Sequence, residues 1–157
     1  MRRKSYADMS CSVARALDVV GDPWTLLVVR DAFFGFRRFE DFQRRLGVPR
    51  NTLTERLNRL TDAGVFEKVP YQDRPLRHEY RLTAKGRALQ PVMISLMQWG
   101  DEWSDIGAPP VVLRDECTGE AVEPVLVDRR TGSPLAELRF RAVPNRDAAN
   151  SVAPAEG

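Results

Sequence analysis

The chain has 157 residues, of which 43% are apolar, enough for one core and a small appendage. No apolar run approaches the ~18 residues that a membrane-spanning helix needs. The basic start Met1–Ser5 is not followed by the apolar segment of a signal peptide. Cys11 and Cys117 are the two cysteines, too few for a disulfide framework or a four-cysteine zinc site. We therefore expect a soluble cytoplasmic protein without metal, cofactor or membrane partner.

The formal net charge of +2 conceals an uneven distribution of charge along the chain. Residues 37–87 carry thirteen Lys or Arg against seven Asp or Glu, whereas residues 88–128 carry one Arg against eight acids. A basic segment beside an acidic one predicts that any phosphate-binding surface lies in the first. The acidic half should face away from nucleic acid.

The first strongly apolar segment runs from Pro23 to Phe34. Pro23 suits the first position of a helix, and Asp22 suits the N-cap before it. Because the segment is apolar on most sides, it is typical of a helix at the centre of a domain.

Two short amphipathic helices joined by a tight turn are predicted next. The apolar positions of each fall on one stripe: Phe39, Phe42 and Leu46 in the first, then Leu53, Leu57 and Leu60 in the second. Gly47-Val48-Pro49 forms the turn, and Gly64 stands where a glycine ends a helix. This order indicates a helix-turn-helix.

The second helix carries the chemistry of a major-groove reader. Arg and Asn can make bidentate contacts to guanine and adenine, and Thr can reach phosphate or a thymine methyl group. We predict groove contacts from its first turns, with Glu55 or Asn58 in support; the full set is Arg50, Asn51, Thr52, Thr54, Glu55 and Asn58. Taken alone, the same pattern also fits an ordinary surface helix with a solvated face.

A two-stranded ribbon is predicted after this helix, with strands over residues 65–71 and 77–83 and a turn over 72–76. Its tip is basic, as the wing of a winged helix-turn-helix requires. We expect Arg37, Arg38, Arg74 and Arg77 to bind phosphate, and Arg74 to reach the minor groove.

A long helix is predicted from Ala84 to Asp105, although Pro91 can kink it or separate its first turn. The apolar side chains from Leu89 to Trp103 recur every three or four residues. They either cover the core of their own domain or form a second apolar surface for a homodimer. We favour a dimer interface that includes the N-terminal segment, with these residues: Tyr6, Cys11, Val13, Leu17, Leu89, Met93, Leu96, Trp99 and Trp103.

The composition changes at Gly107-Ala108-Pro109-Pro110, which indicates a linker. Strands are predicted over residues 111–114, 121–127 and 135–143, and the Ala- and Pro-rich end is typical of a disordered tail. The expected organisation is an N-terminal arm (1–10), a winged-helix domain with its dimer helix (11–106), a small β-rich extension (107–144) and a tail (145–157). The fold class is mainly α with a small β wing (α+β).

Four motifs together resemble the HxlR family of bacterial transcriptional regulators. They are Cys11-x-Val13, Gly21-x-x-Trp24-Thr-Leu-Leu27, Arg38-Phe39-x-x-Phe42 and Tyr80-x-Leu82-Thr83-x-x-Gly86. The resemblance covers about half of the chain. It implies a cytosolic homodimer with one winged helix per subunit, bound to a pseudo-palindromic operator on double-stranded DNA.

The resemblance also implies three finer features. The space beside the dimer helices can host a small-molecule effector. Six aromatic and methionine side chains either line it or, as we favour, pack in the core: Trp24, Phe33, Met93, Met97, Trp99 and Trp103. The extension is similar to a zinc ribbon whose Cys-x-x-Cys is replaced by Asp128 and Thr131, so we expect it to lack metal. Cys11 is either a thiol sensor, activated by Arg2, Arg3, Lys4 and Arg15, or a small apolar residue of the interface.

Two other function classes are less well supported. Catalysis lacks a motif, since His78 is the one histidine and no glycine-rich phosphate loop or Gly-x-Ser-x-Gly occurs. A winged helix used only for protein contacts predicts a neutral or acidic face around Arg50, and the sequence has the reverse. The expected function is a sequence-specific repressor or activator, controlled by an aromatic effector or by thiol oxidation; a constitutive DNA-binding protein is the alternative.

Overall fold

The structure is a computed structural model that describes residue 6 and residues 8–105 and 107–145. It divides after Ala108 into two units. The helices and strands of the described part of the first unit are α1 Ser12–Val20, α2 Pro23–Phe33, α3 Phe39–Leu46, α4 Arg50–Asp62, β1 Phe66–Asp73, β2 Leu76–Leu82, α5 Ala84–Arg87 and α6 Gln90–Trp103. This is the mainly α fold with a small wing that the sequence predicts. Within the described residues, no helix is long and apolar enough to cross a membrane.

Helix α2 begins as predicted. The Asp22 carboxylate accepts hydrogen bonds from the backbone N–H groups of Trp24 and Thr25, at 3.0 and 3.3 Å, and Pro23 occupies the first turn. These contacts satisfy two of the donors that a helix start leaves open. One side of the helix lies in the core through Val28 and Val29, whereas Trp24 is exposed.

Helices α3 and α4 form the helix-turn-helix. Gly47 ends α3 at φ +64°, and Gly64 follows α4 at φ +70°, backbone conformations that favour glycine. The buried stripe of α4 packs with Phe42 of α3, α2 and the start of β1. The core of this unit is Val28, Val29, Phe42, Val48, Leu53, Leu57, Leu60, Val65 and Phe66.

The wing is an antiparallel pair of β1 and β2. Phe66 pairs with Leu82 and Lys68 with Tyr80, and the register shifts between Pro70 and Gln72. A bridge between Arg38 and Glu79, with the Tyr80 N–H donating to the Arg37 carbonyl at 2.7 Å, ties β2 to the segment before α3. The wing is therefore anchored to the helix-turn-helix at its base, and its tip projects from it.

The predicted helix over 84–105 is two helices, with the break between Arg87 and Gln90. Pro91 falls in the first turn of α6, where its missing N–H costs no hydrogen bond. Leu89 and Met93 pack against the core, whereas Trp99 and Trp103 are 64% and 69% exposed. Leu89 and Met93 thus cover the core of their own unit, and the dimer surface stays a prediction for the exposed face. Ile106, which continues the three-residue spacing after Trp103, lies outside the described residues.

The strands predicted in the second unit are wrong. Over the described residues 109–145, isolated bridges join Arg114 to Ala121 and Val127 to Pro134, and a 3-10 helix, Leu135–Glu137, replaces the start of the third strand. The predicted strands are interrupted because residues next to them form short turns that are stabilised by aspartate side chains. The tail predicted over 145–157 lies outside the described residues except for Asn145.

The two turns of this unit repeat one pattern, Asp-x-x-Thr-Gly, at Asp115–Gly119 and Asp128–Gly132. In each, the aspartate carboxylate accepts a backbone N–H two residues on, from Cys117 at 2.9 Å and from Arg130 at 3.1 Å. Both glycines have a positive φ, +72° and +73°. Asp128 and Thr131, which stand where the similar zinc-ribbon motif has cysteines, are thus hydrogen-bonded within their own turn, with the Thr131 hydroxyl donating to Asp128 at 2.8 Å. No group of three metal-ligating side chains occurs in the described part of the chain.

Candidate nucleic-acid interface

The first turn of α4 presents three of the predicted groove readers. Arg50, Asn51 and Thr54 are exposed there. The Arg50 guanidinium lies over the ring of Phe39 in α3, with its Cζ 4.7 Å from the ring centroid. This cation–π contact restricts the rotamers of Arg50 and holds it at the junction of the two helices.

The predicted readers also make contacts within the protein. The Asn51 side chain accepts the Thr52 N–H at 2.9 Å, and the Thr54 hydroxyl donates to the Arg50 carbonyl at 2.9 Å. Thr52 is half-buried, and Glu55 pairs with Arg56 at 2.8 Å. Asn58 accepts a hydrogen bond from Lys68 of β1 at 2.9 Å. Glu55 and Asn58 therefore brace α4 and the wing in the free protein, and base contacts from them would require these bonds to exchange.

An ion pair attaches α4 to the start of α2. The Arg56 Nε donates to the Asp22 carboxylate at 2.8 Å, and both side chains are mostly buried. Burial alone would raise the pKa of Asp22, but the hydrogen bonds from Arg56 and Thr25 outweigh it and lower that pKa. Arg59 adds a hydrogen bond to the carbonyl of Asp18. The orientation of α4 is thus set from its buried side.

A buried carboxylate fixes α3 in the same way. Asp31 of α2 is fully buried and pairs with Arg30 at 2.8 Å and with Arg45 of α3 at 3.1 Å. Arg45 also lies over Phe36, 4.1 Å from its ring centroid. The two arginines remain about two-fifths exposed, so the cluster links the buried scaffold to the basic surface.

The two predicted phosphate ligands before α3 differ in their surroundings. Arg38 lies over Tyr71 of the wing at 4.5 Å and is 3.6 Å from Glu79, so it already bridges α3 and the wing. The Arg37 guanidinium makes no hydrogen bond or ion pair with any described residue, and the residue is exposed. Arg37 is thus the freer of the two to meet an external anion.

Arg74 and Arg77 lie at the wing tip and are exposed. The Gln72 side chain donates to the Arg74 carbonyl at 3.1 Å, which braces the turn. A protein that reads a groove and also binds the flanking phosphates needs contacts from more than one element. The wing-tip arginines and the first turn of α4 meet this requirement.

Sequence reasoning missed the roles of Lys68, Tyr71 and Phe39 in positioning the basic side chains. Lys68 joins Asn58 to the wing, and the two rings support Arg38 and Arg50. The signal available in the sequence was that basic and aromatic residues lie close together, as in Arg38-Phe39 and Lys68-x-x-Tyr71. That pattern does not say which arginine meets which ring.

The other predicted sites are the possible thiol sensor and the possible effector pocket. Cys11 is the exposed N-cap of α1, and its side chain makes no capping hydrogen bond. Arg2, Arg3 and Lys4, proposed as its activating cations, lie outside the described residues. Of the six side chains expected around an effector, Phe33 alone lines the cavity described below, and Trp24, Trp99 and Trp103 are exposed.

Comparison with known proteins identifies this architecture. Residues 19–107 match the family of HxlR-like helix-turn-helix proteins. The chain is 49% identical over 125 residues to the uncharacterized HTH-type transcriptional regulator Rv3095 of Mycobacterium tuberculosis, covering 79% of each chain. It is 37% identical over 94 residues to a regulator of the same description, sll1512 of Synechocystis, covering 59% of this chain and 70% of that one.

Solved structures agree with the family match. The crystal structure of PA1607, named as a candidate transcription factor, is 42% identical, with a TM-score of 0.78 over 90% of this chain and 100% of that one. The redox regulator HypR in its oxidized form is 31% identical, with a TM-score of 0.56 over 61% of this chain and 100% of that one. The chain belongs to the HxlR family and is a DNA-binding transcriptional regulator of the winged helix-turn-helix type, not an enzyme.

Proposed function

We propose that this regulator acts in the cytoplasm as a homodimer that recognises a pseudo-palindromic operator. The observation that carries the proposal is the exposure of Arg50, Asn51 and Thr54 on one turn, beside a wing that ends in Arg74 and Arg77. In this arrangement α4 enters the major groove and the wing arginines hold the flanking phosphates.

We infer a dimer because one winged helix makes too few base contacts for specific regulation. A single recognition helix reads few base pairs, whereas two related by a two-fold axis read half-sites about 34 Å or one helical turn apart. The exposed apolar side chains of α1 and α6 supply a surface for that contact; they are Val13, Leu17, Val92, Leu96, Trp99 and Trp103. Large exposed apolar patches are uncommon on monomers and mark association sites.

The proposal is tested by selecting duplexes from a random-sequence library with the purified full-length protein. We expect enrichment of an inverted repeat whose half-sites lie about one turn apart. Enrichment of no sequence, or of a single asymmetric half-site, would contradict it. Occlusion of a promoter and recruitment of polymerase are both compatible with such a site.

Thiol control of DNA binding is a second, separable proposal. Cys11 is exposed at the N-terminus of α1, and HypR, a structural relative, is a redox regulator. Oxidation there would add bulk and polarity to the proposed interface. We expect an oxidant to weaken DNA binding by the wild-type protein and to leave the Cys11→Ser variant unaffected; an equal response of both proteins would exclude this role.

A further inference from the structure

A cavity of about 460 Å³ lies at the base of the wing. Its walls come from the end of α2, the segment Gly35–Arg37, both wing strands, α5 and the start of α6. Its volume falls in the range of about 300–1,000 Å³ that is typical of small-molecule sites. The cavity is separate from the exposed first turn of α4.

Positive charge dominates the lining. Arg37, Arg81 and Arg87 contribute three guanidinium groups, against one carboxylate from Glu67. Arg87 donates one N–H to the Leu82 carbonyl at 2.7 Å. Arg81 pairs at 2.9 Å with Glu79, which is not a lining residue. Arg37 keeps its whole guanidinium free of hydrogen bonds to described residues, so the cavity retains unused donors.

Aromatic side chains form another part of the lining. Phe33, Phe36 and Tyr80 are partly buried there, and each packs against the core of the unit. Arginine forks bind carboxylates in a bidentate geometry, and aromatic walls favour a flat apolar body. The combination selects a ligand that is anionic at one end and planar at the other.

We propose that this cavity binds a small aromatic carboxylate, with Arg37 and Arg87 as the carboxylate ligands. Arg37 stands directly before α3, and its carbonyl is bonded to β2. A ligand seated on it would bind the side chain that is also expected to hold a DNA phosphate. Ligand and DNA would therefore compete for Arg37, so the ligand would weaken DNA binding; this regulatory part rests on the proposed function, whereas the binding site does not.

Calorimetry on the DNA-free protein tests the site, with benzoate as the probe. We expect saturable binding of benzoate, none of the neutral isostere benzamide, and weaker binding of inorganic phosphate, which lacks the ring. Arg37→Ala and Arg87→Ala should each weaken benzoate binding by about tenfold or more, as loss of a charge-assisted hydrogen bond does. The exposed Arg44→Ala, on the outside of α3, is the matched control and should bind benzoate like wild type.

Three outcomes would overturn the site: equal binding of benzamide and benzoate, equal binding of phosphate and benzoate, or unchanged benzoate binding by both cavity variants. Lys in place of Arg37 should retain part of the affinity, because it keeps the charge but not the planar fork.

A DNA-binding titration at constant ionic strength tests the regulatory part. Saturating benzoate should weaken operator binding by the wild-type protein relative to an equal concentration of sodium chloride, and Arg37→Ala should not respond. Binding of benzoate without any effect on operator affinity would overturn the regulatory part and leave the site standing. Absence of operator binding in every condition would contradict the proposed function, while calorimetry would still decide the cavity.

Discussion

Arg50 is the side chain on which base recognition is expected to depend most. Its position over Phe39 reduces the conformational freedom that it would lose on meeting a guanine. Arg38 is held in the same way over Tyr71 but also approaches Glu79. The sequence predicts a groove contact for Arg50 and a phosphate contact for Arg38 but not their neighbours. Arg50 contacts Phe39, whereas Arg38 is also close to Glu79 and links α3 to the wing.

Asp22 combines two stabilising roles, and substitutions at this position separate them. Asp22→Asn should keep the helix cap but lose the ion pair with Arg56, whereas Asp22→Ala loses both. We expect Asp22→Ala to cost about 2–3 kcal/mol of the free energy of unfolding and Asp22→Asn about half of that. Denaturant titrations at neutral pH measure both values. Equal losses would mean that the cap contributes nothing, and no loss in Asp22→Asn would mean that the ion pair contributes nothing.

The same residue gives a dependence on pH with a defined sign. Because the folded-state pKa of Asp22 is lowered, its contribution is fully present above the unfolded pKa of about 3.9. The contribution is lost as the pH falls through the lower folded value. In Asp22→Asn this part of the acid loss of stability should disappear, and an identical acid profile of the variant and wild type would contradict the assignment.

The Asp22 cap could be predicted from sequence, because Asp-Pro before an apolar run is a local signal. Its partner Arg56 lies 34 residues away and could not. Arg56 belongs to a polar stretch of α4, and nothing local distinguishes a buried cation from the exposed Arg50 six positions earlier. The helix orientation that selects Arg56 for burial is set by packing of the whole unit.

At the scale of elements, Gly86 explains why the family-like Tyr-x-Leu-Thr-x-x-Gly motif ends in glycine. Gly86 is buried in α5, and a Cβ there would collide with the Val65 carbonyl oxygen and lie 2.9 Å from Leu82 Cδ2. The Thr83 hydroxyl accepts the Gly86 N–H at 3.1 Å and donates to the Gly64 carbonyl at 2.6 Å. Helix α5 therefore packs directly on the junction between α4 and β1.

Gly86→Ala should destabilise the protein by about 1–3 kcal/mol, since backbone must move to admit the methyl group. Gly100→Ala is the matched control: this glycine lies within α6, with nothing within 4 Å of the added Cβ. It should raise the free energy of unfolding by up to about 1 kcal/mol through helix propensity. Denaturant titrations compare the two, and similar effects of both would refute the packing argument.

The duplicated Asp-x-x-Thr-Gly turns are a second device at this scale. We propose that their hydrogen bonds hold the ribbon-like unit without metal. Backbone N–H groups of Thr118 and Arg130 lower the pKa values of Asp115 and Asp128 respectively. The turns should therefore keep their structure above about pH 4 and loosen as the carboxylates protonate below it.

Two measurements check this prediction. EDTA should change neither the amide spectrum of residues 109–145 nor the melting temperature at neutral pH. Acidification should move the amide resonances of Cys117 and Arg130 first, and Asp115→Asn should affect the first of these alone. A chelator-induced loss of structure would show that the unit depends on metal.

Among the elements, those with a strong local period were predicted well and the others were not. The stripes of α3 and α4 and the capped start of α2 match within a residue or two. The wing strands shifted by one or two residues because the bulge at Tyr71 is set by pairing. The apolar runs around Val112 and Val125 read as strands, but turns close so near to them that single bridges result.

At the scale of the whole molecule, we expect the exposed apolar face of α6 to be covered in the proposed dimer. We expect Leu96→Glu to shift the protein towards monomer, because a charge would be buried in the interface. Operator binding should weaken by more than tenfold while the helix content is retained. Light scattering after size exclusion measures the mass.

Phe140→Glu is the matched control for that experiment. Phe140 is 74% exposed, more than Leu96, but belongs to the second unit and to none of the proposed interfaces. It should leave the mass and the operator affinity unchanged. A monomeric wild-type protein that binds the operator tightly would contradict the dimer proposal.

The most direct test of the account is a pair of salt-dependent anisotropy titrations, on the selected operator and on a scrambled duplex. Arg50→Ala should lose about 1–3 kcal/mol on the operator alone, and Arg77→Ala should weaken binding to both duplexes and reduce the salt slope by about one. That result would place base reading in α4 and phosphate binding in the wing. Equal losses on both duplexes for both variants would contradict this division.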